Sequence, residues 1–276
     1  MNLFRILVVV VLLCASGVIA QQPLIFEVNY QKQTYLVGES IDLGRSVKNV
    51  GSLTQELTGR ITVTLQKESG EVLHYYEPHG DWYYPSGELL PNEESYRVID
   101  LNEKFGKRYS FRNYHHLLDS GKYTAEVSYG STNIQNNTIR FSFQVIPPKG
   151  DEEIILNSFV KMAKSDTFNT TDEFIKAAYS LMNSHPHSVY NPIILSEIVS
   201  TFRISFHDLI EGLATGKELI EKYPWSAKGA YMLNPVLNNL TTEQERIAFL
   251  KKLLPLAQNS PMQKLLELKL KAEMEE

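Results

Sequence analysis

Cysteine is almost missing from this chain. The one present, Cys14, lies in an apolar opening stretch, so any mature form that loses that stretch has no disulfide, no thiolate nucleophile and no cysteine-ligated zinc. Exported eukaryotic domains of this size usually carry disulfides, and their absence points to a bacterial envelope protein. A second long apolar run is also missing, so nothing after the opening is expected to span a membrane. Positive charge is in deficit: 27 Lys and Arg against 32 Asp and Glu give a net charge of −5, which argues against nucleic acid as a partner. No phosphate-binding loop, dinucleotide fingerprint, calcium loop or Gly-x-Ser-x-Gly elbow occurs. An enzyme therefore has no positive sign in the sequence, and no cofactor is expected.

The opening itself reads as a secretory leader over residues 1–20. Arg5 supplies the positive start, Ile6 to Cys14 the apolar run, and Val18-Ile19-Ala20 the compact residues that a signal peptidase reads, with cleavage before Gln21. Acylation at Cys14 is a rival, weakened because Leu13 stands where a small residue is needed; a retained amino-terminal anchor is another. Export places the chain in the periplasm, on the cell surface or outside. Three sequons, at Asn136, Asn169 and Asn239, carry no meaning on a bacterial reading.

Residues 21–148 are written in short runs rich in Val, Ile, Thr, Tyr and Phe, punctuated by Gly, Asn, Asp and Pro. Thr58 to Gln66 alternates polar with apolar, Glu68-Ser69-Gly70-Glu71 makes a turn, and Val72 to Tyr76 is the expected hairpin partner. Gly121 to Tyr129 and Thr138 to Val145 alternate likewise, with Ile139, Phe141, Phe143 and Val145 on one face. About seven such strands predict an antiparallel sandwich. The stretch Tyr35-Leu36-Val37-Gly38-Glu39-Ser40-Ile41, followed by Val47-Lys48-Asn49-Val50-Gly51, resembles the opening of immunoglobulin-like modules in exported bacterial proteins. Leu90-Pro91-Asn92-Glu93-Glu94 and Leu118-Asp119-Ser120-Gly121-Lys122-Tyr123 resemble their later phrases. The resemblance implies a fold and little about function.

Pro147-Pro148 ends the β pattern, since paired prolines neither continue a ladder nor enter a helix readily, and a domain boundary is expected there. Residues 149–276 follow a helical period. Ile154, Ile155, Phe159, Val160 and Ala163 suit one face, and Thr170-Thr171-Asp172-Glu173 suggests a capping box before Phe174, Ile175, Ala178 and Leu181. Junctions at His185-Pro186, Tyr223-Pro224 and Ser260-Pro261 recur at a period of about 34 to 38 residues, which points to helical hairpins. Tyr223-Pro224-Trp225-Ser226-Ala227 resembles the turn of tetratricopeptide-like repeats; the other junctions depart from it, and two to three irregular hairpins are expected. Leu265, Leu266, Leu268 and Leu270 must face inward or onto the β region.

Candidate chemistry is sparse. His185 and His187 could chelate a metal only if extended at Pro186 and no third ligand is placed by sequence, so they read as cations at a helix end and no metal site is assigned. Ser205-Phe206-His207-Asp208 groups suggestive residue types, yet helix neighbours point apart, and Ser205 reads as a cap for the helix through Leu209. Glu152 and Glu153 read as solvated acids in a first helical turn. The segment His74 to Pro85 carries Tyr75, Tyr76, Trp82, Tyr83 and Tyr84 around Pro and Gly, which suits stacking on a sugar or peptide as well as ordinary packing at a sheet edge.

The preferred reading is a non-enzymatic exported interaction or scaffold protein: a two-domain, β-then-α chain with an immunoglobulin-like sandwich and tetratricopeptide-like hairpins. Its contacts with a protein or peptide partner are assigned to Tyr190, Tyr223 and Trp225 together with the Trp82, Tyr83, Tyr84 loop. A glycan-binding module using that loop, and a hydrolase assembled from distant residues, are the alternatives.

Overall fold

The computed structural model describes residues 24–57, 61–76, 87–102, 107–108, 116–130, 134–135, 137–164, 171–202 and 208–275. The expected leader, the Trp82, Tyr83, Tyr84 loop, Ser205 and Thr170, the first residue of the expected capping box, lie outside them.

Alternation at period two does in the first half what it should, placing one side chain in two against a common core. The main strands are β1 (Leu24–Tyr30), β2 (Thr34–Leu36), β3 (Asp42–Asn49), β4 (Ile61–Lys67), β5 (Val72–Tyr76), β6 (Glu94–Asp100), β7 (Gly121–Tyr129) and β8 (Thr138–Ile146). One open sheet runs Ile134–Gln135, β1, β3, β6; the other runs β2, β8, β7, β4, β5. Two ladders are parallel rather than antiparallel as expected: β1 with Ile134–Gln135, and β2 with β8. The cause of the second is that the opening strand changes sheets at residues 31–33, so its second half meets β8 from the other side.

Phe26, Leu43 and Val47 from one sheet and Val63, Leu65, Ala125, Val127 and Phe143 from the other share a single buried cluster. Rings bridge it: Tyr30 stacks on Phe141 at 4.3 Å, and Phe26 meets Tyr129 at 6.1 Å. Burying each such side chain is worth about 1.5–3 kcal/mol. The phrases at the strand ends have local causes. Asn49, fully buried, donates through its amide to the carbonyls of Leu53 and Leu89 and accepts from Gly51 N–H, which is why an Asn-x-Gly stretch turns here. Tyr123 Oη donates to the Asp119 carbonyl at 2.7 Å, fastening the loop that enters β7.

Among the described residues seven α-helices follow: α1 (Asp151–Lys164), α2 (Thr171–Ser184), α3 (Asn191–Thr201), α4 (Leu209–Lys222), α5 (Ala230–Asn239), α6 (Glu243–Leu253) and α7 (Pro261–Glu275). Helix α3 is buried almost all round, and Ile194, Leu195, Ile198 and Val199 form a core with Leu219, Ile220, Met232, Leu250 and Leu253. A side chain on Gly216 would lie 2.3 Å from Met232 Cε, so glycine lets α4 and α5 approach. In α1 the buried face is Ile155, Leu156 and Phe159; Ile154, expected on it, is 56% exposed. No described helix is long and apolar enough to cross a membrane.

Strand β3 is buried at nearly every position, because its sheet is covered on both sides. The second β sheet takes one face, and α7 with the short 3₁₀ turn Ala227–Gly229 takes the other.

Candidate functional site

The outer face of β3 and β6 presents Asp42, Gly44 and Ser46 opposite Asp100, Val98 and Tyr96, in direct cross-strand register. Gly44 leaves the space in which α7 lands: a Cβ there would sit 1.9 Å from Tyr96 Oη and 3.1 Å from Pro261 Cβ. Tyr96 Oη donates to the Pro261 carbonyl at 2.7 Å, Lys264 pairs with Glu94 at 3.0 Å, and Val98 enters the helical core. At the other end Ala227 N–H donates to Asp42 Oδ2 at 2.8 Å, and Lys228 Nζ lies 2.9 Å from Asp100 Oδ2. Asp42, Asp100 and Lys228 are 3%, 4% and 7% exposed. Among the described residues, this end of the joint therefore buries two carboxylates and one ammonium.

The two acids are unlike. Burial favours the neutral form of both. For Asp100 that push is outweighed by Lys228 and by the N–H groups of Ile41 and Asn102, each 3.0 Å from Oδ1, and its carboxyl stays below the ordinary range. Asp42 lacks an ion partner of that quality. Burial, and then the charge of Asp100, push it up to about 7, against the Ser40 hydroxyl and Ala227 N–H that hold the anion.

The turn that carries Lys228 has two faces. Helix α4 ends at Lys222 because Pro224 cannot continue it. Ser226 then caps the 3₁₀ turn, its hydroxyl accepting from Lys228 N–H at 3.3 Å. This directs Ala227 and Lys228 into the joint. On the other side Trp225 stands 38% exposed, edge-on to the half-buried Tyr223 at 5.6 Å and 89°.

Of the residues assigned from sequence, Tyr223 and Trp225 are thus together on this turn. Tyr190 is not on a contact surface: it is 1% exposed and its hydroxyl donates to the Val37 carbonyl at 2.7 Å, joining the helices to the turn after β2. Burial, with the carboxylates of Glu152 and Glu39 nearby, raises its phenol above the ordinary value. Its apolar ring fills the core before α3, and only the hydroxyl needs a partner. Glu152 is not a solvated acid either; it accepts from the Ser188 hydroxyl at 2.6 Å and Val189 N–H at 3.2 Å. The cap of α4 is Asp208, accepting from Ile210 and Glu211 N–H, rather than Ser205.

No group of three or more His, Cys, Asp or Glu is placed to hold a metal ion among the described residues. A shallow groove along α2, lined by Ile175, Lys176, Tyr179, Ser180, Asn183 and Ser184, is the flank of one helix rather than a cleft. The sequence reading missed Asp42, Asp100 and Lys228. The one visible sign was Asp100 interrupting the apolar run Val98-Ile99-Asp100-Leu101.

Comparison with known proteins yields no family: no protein-family profile matches the chain, and no curated protein matches it. Three solved structures are similar over part of it. A beta-glucosidase from Listeria innocua in complex with glucose is 18% identical, with 44% of this chain and 16% of that one covered and a TM-score of 0.29. An alkylpurine DNA glycosylase from Pseudomonas fluorescens bound to DNA is 10% identical, covering 45% and 30%, at 0.29. A CARDB domain from Pyrococcus furiosus is 14% identical, covering 46% and 96%, at 0.28. The chain spans under a third of the glucosidase and glycosylase it resembles.

Proposed function

We propose that this chain is a non-enzymatic, exported protein- or peptide-binding module, in which an immunoglobulin-like sandwich (21–148) serves as a platform for tetratricopeptide-like hairpins (149–276) behind a leader (1–20). The observation that carries the binding reading is the Tyr223–Trp225 corner, an exposed indole on a turn whose other face is fixed by Ala227 and Lys228 to buried acids. A ring held in place before contact loses little freedom on binding, which is what an aromatic anchor needs. The immunoglobulin-like reading is supported by the Tyr123 hydroxyl bonded to a backbone carbonyl four residues upstream, a device that fastens corners in such sandwiches. The hairpin reading is supported by helices that pack on their neighbours in chain order, α3 on α4, α4 on α5 and α6 on α7.

The test is a displayed peptide library and an envelope extract, each passed over the immobilised chain and over Trp225→Ala. Truncating an anchor costs about 2 kcal/mol or more, some thirtyfold in Kd. Peptides enriched on the native chain should lose at least that much on the variant while its melting temperature is kept. An unchanged set of captured peptides sinks the reading.

A further inference from the structure

At the end of the joint where Ala227 and Lys228 meet β3 and β6, three buried ionisable groups stand together among the described residues, two acids and one base. With Asp42 and Asp100 both ionised, Lys228 leaves one negative charge in a region less than a tenth exposed. Burial of an uncompensated charge is costly, and retaining one proton removes the cost. The contacts decide which acid keeps it. Asp100 holds the ammonium and two backbone N–H donors; Asp42 holds one N–H donor and the Ser40 hydroxyl. That hydroxyl can reverse from donor to acceptor, so a proton on Asp42 Oδ1 is accommodated while Oδ2 still accepts from Ala227.

We propose that Asp42 is the titrating element of a pH-sensitive latch, which fastens the helical region to the sheet more tightly when this carboxyl is protonated than when it is ionised. The groups that face it bear this out. Asp100 from β6 repels the anion and Lys228 from the turn attracts it, while the same ammonium pairs with Asp100 at 2.9 Å. On the β2 side Tyr35 is held neutral by its own burial, and Glu39, which pairs with Lys32, adds no positive charge. From α7, Lys264 is taken up by Glu94 at the far end of the face. Among the described residues, Lys228 is the cation that acts on Asp42. The inference stands whether or not Trp225 meets a partner.

The sign is fixed by linkage. The Asp42 pKa is about 7 in the folded chain and 3.8 as the unperturbed reference, so the folded state holds a proton that the unfolded chain has released. The stabilisation is full below the lower value and is lost as pH rises through the upper one. The unfolding equilibrium constant should rise about tenfold per pH unit approaching 7, and about a hundredfold between about pH 5 and pH 9.

Two measurements on the full chain decide it. Urea unfolding from pH 5 to 9 should show that loss in the native chain and not in Asp42→Asn, which keeps every histidine, so that their contribution is common to both, and a neutral side chain that can still accept from Ala227. Equal slopes in the two proteins overturn the proposal. Should the variant fail to fold, the carboxyl carbon-13 resonance of Asp42 in the native chain supplies the answer: a midpoint near neutrality upholds the latch, and a midpoint in the ordinary range of aspartate removes it.

Discussion

The two faces of the β1–β3–β6 sheet are held by different physics. Toward the other sheet, Phe26, Leu43 and Val47 share an apolar cluster with Val63, Ala125 and Phe143, and the buried Arg45 lies on that same face of β3. Toward the helices, the same strands offer Asp42, Asp100, Tyr96 and Glu94, and nearly every tie is a directed bond or an ion pair. Apolar burial is non-directional and indifferent to pH, whereas buried polar ties accept few arrangements and leave unpaired groups in all others. The first face supplies cohesion. The second fixes where the helices sit, and so which way the Tyr223–Trp225 corner points.

The contrast breaks most visibly at Lys228 and Phe143. Lys228→Met leaves two buried carboxylates without a cation, and removing one partner of a buried pair costs about 3–5 kcal/mol. Phe143→Ala removes a buried ring that stacks on Tyr123 at 5.4 Å and also costs about 3–5 kcal/mol. The two costs are similar in size and differ in pH response: without the ammonium the folded carboxyls are pushed further up, so the stability that survives in acid drains away as pH rises. The ring deletion should cost the same throughout. Urea unfolding at acidic, neutral and alkaline pH measures both, and a pH-independent cost for Lys228→Met would mean that the joint is not electrostatic.

How far each face could be read in advance follows from the same division. The apolar face announces itself through alternation: Thr62 to Gln66 against Val72 to Tyr76, and Gly121 to Ser128 against Thr138 to Val145, pair in the register their patterns imply. Residues such as Asn49 and Gly70, the latter at φ 95°, mark the turns for local reasons. The polar face gives no such sign. Asp42 lies 185 positions from Ala227, which bonds it and precedes Lys228, and a Lys or Asp in sequence reads as a surface residue because it nearly always is. Tyr190 failed in the opposite direction: an aromatic beside a helix junction suits a groove or a core equally, and only the placement of Val37 across the joint decides. The helical caps were misread where two candidates stood close, Ser205 and Asp208, or missed outright, as with the box formed by Thr242 and Glu245.

A smaller effect sharpens where the polar face depends on shape. Gly44→Ala adds a carbon where Tyr96 Oη and Pro261 already stand, and the clash must be met by moving the ring or lifting α7. Overpacking of this kind costs about 1–3 kcal/mol. Amide exchange of the residues beginning α7 should speed up, while exchange in β4 and β7, on the far sheet, stays as it was. Equal loosening of both sheets would show that Gly44 serves the β region as a whole rather than the joint.

The smallest change tests the tie at Tyr190. Tyr190→Phe keeps the ring in the helical core and deletes only the bond to the Val37 carbonyl, and a single neutral hydrogen bond is worth about 1 kcal/mol. For a chain of this size that is a fall of about 2–4 °C in Tm. The phenol is held above its ordinary range by burial, so it remains a neutral donor throughout the interval in which Asp42 gains and loses its proton. The loss on substitution should therefore be equal at acidic and mildly alkaline pH, even as the stability of the parent protein changes between them. A loss that grew with pH would show that Tyr190 and Asp42 act as one unit across the joint, and a double variant of Tyr190→Phe with Asp42→Asn would then fall short of the sum of the two.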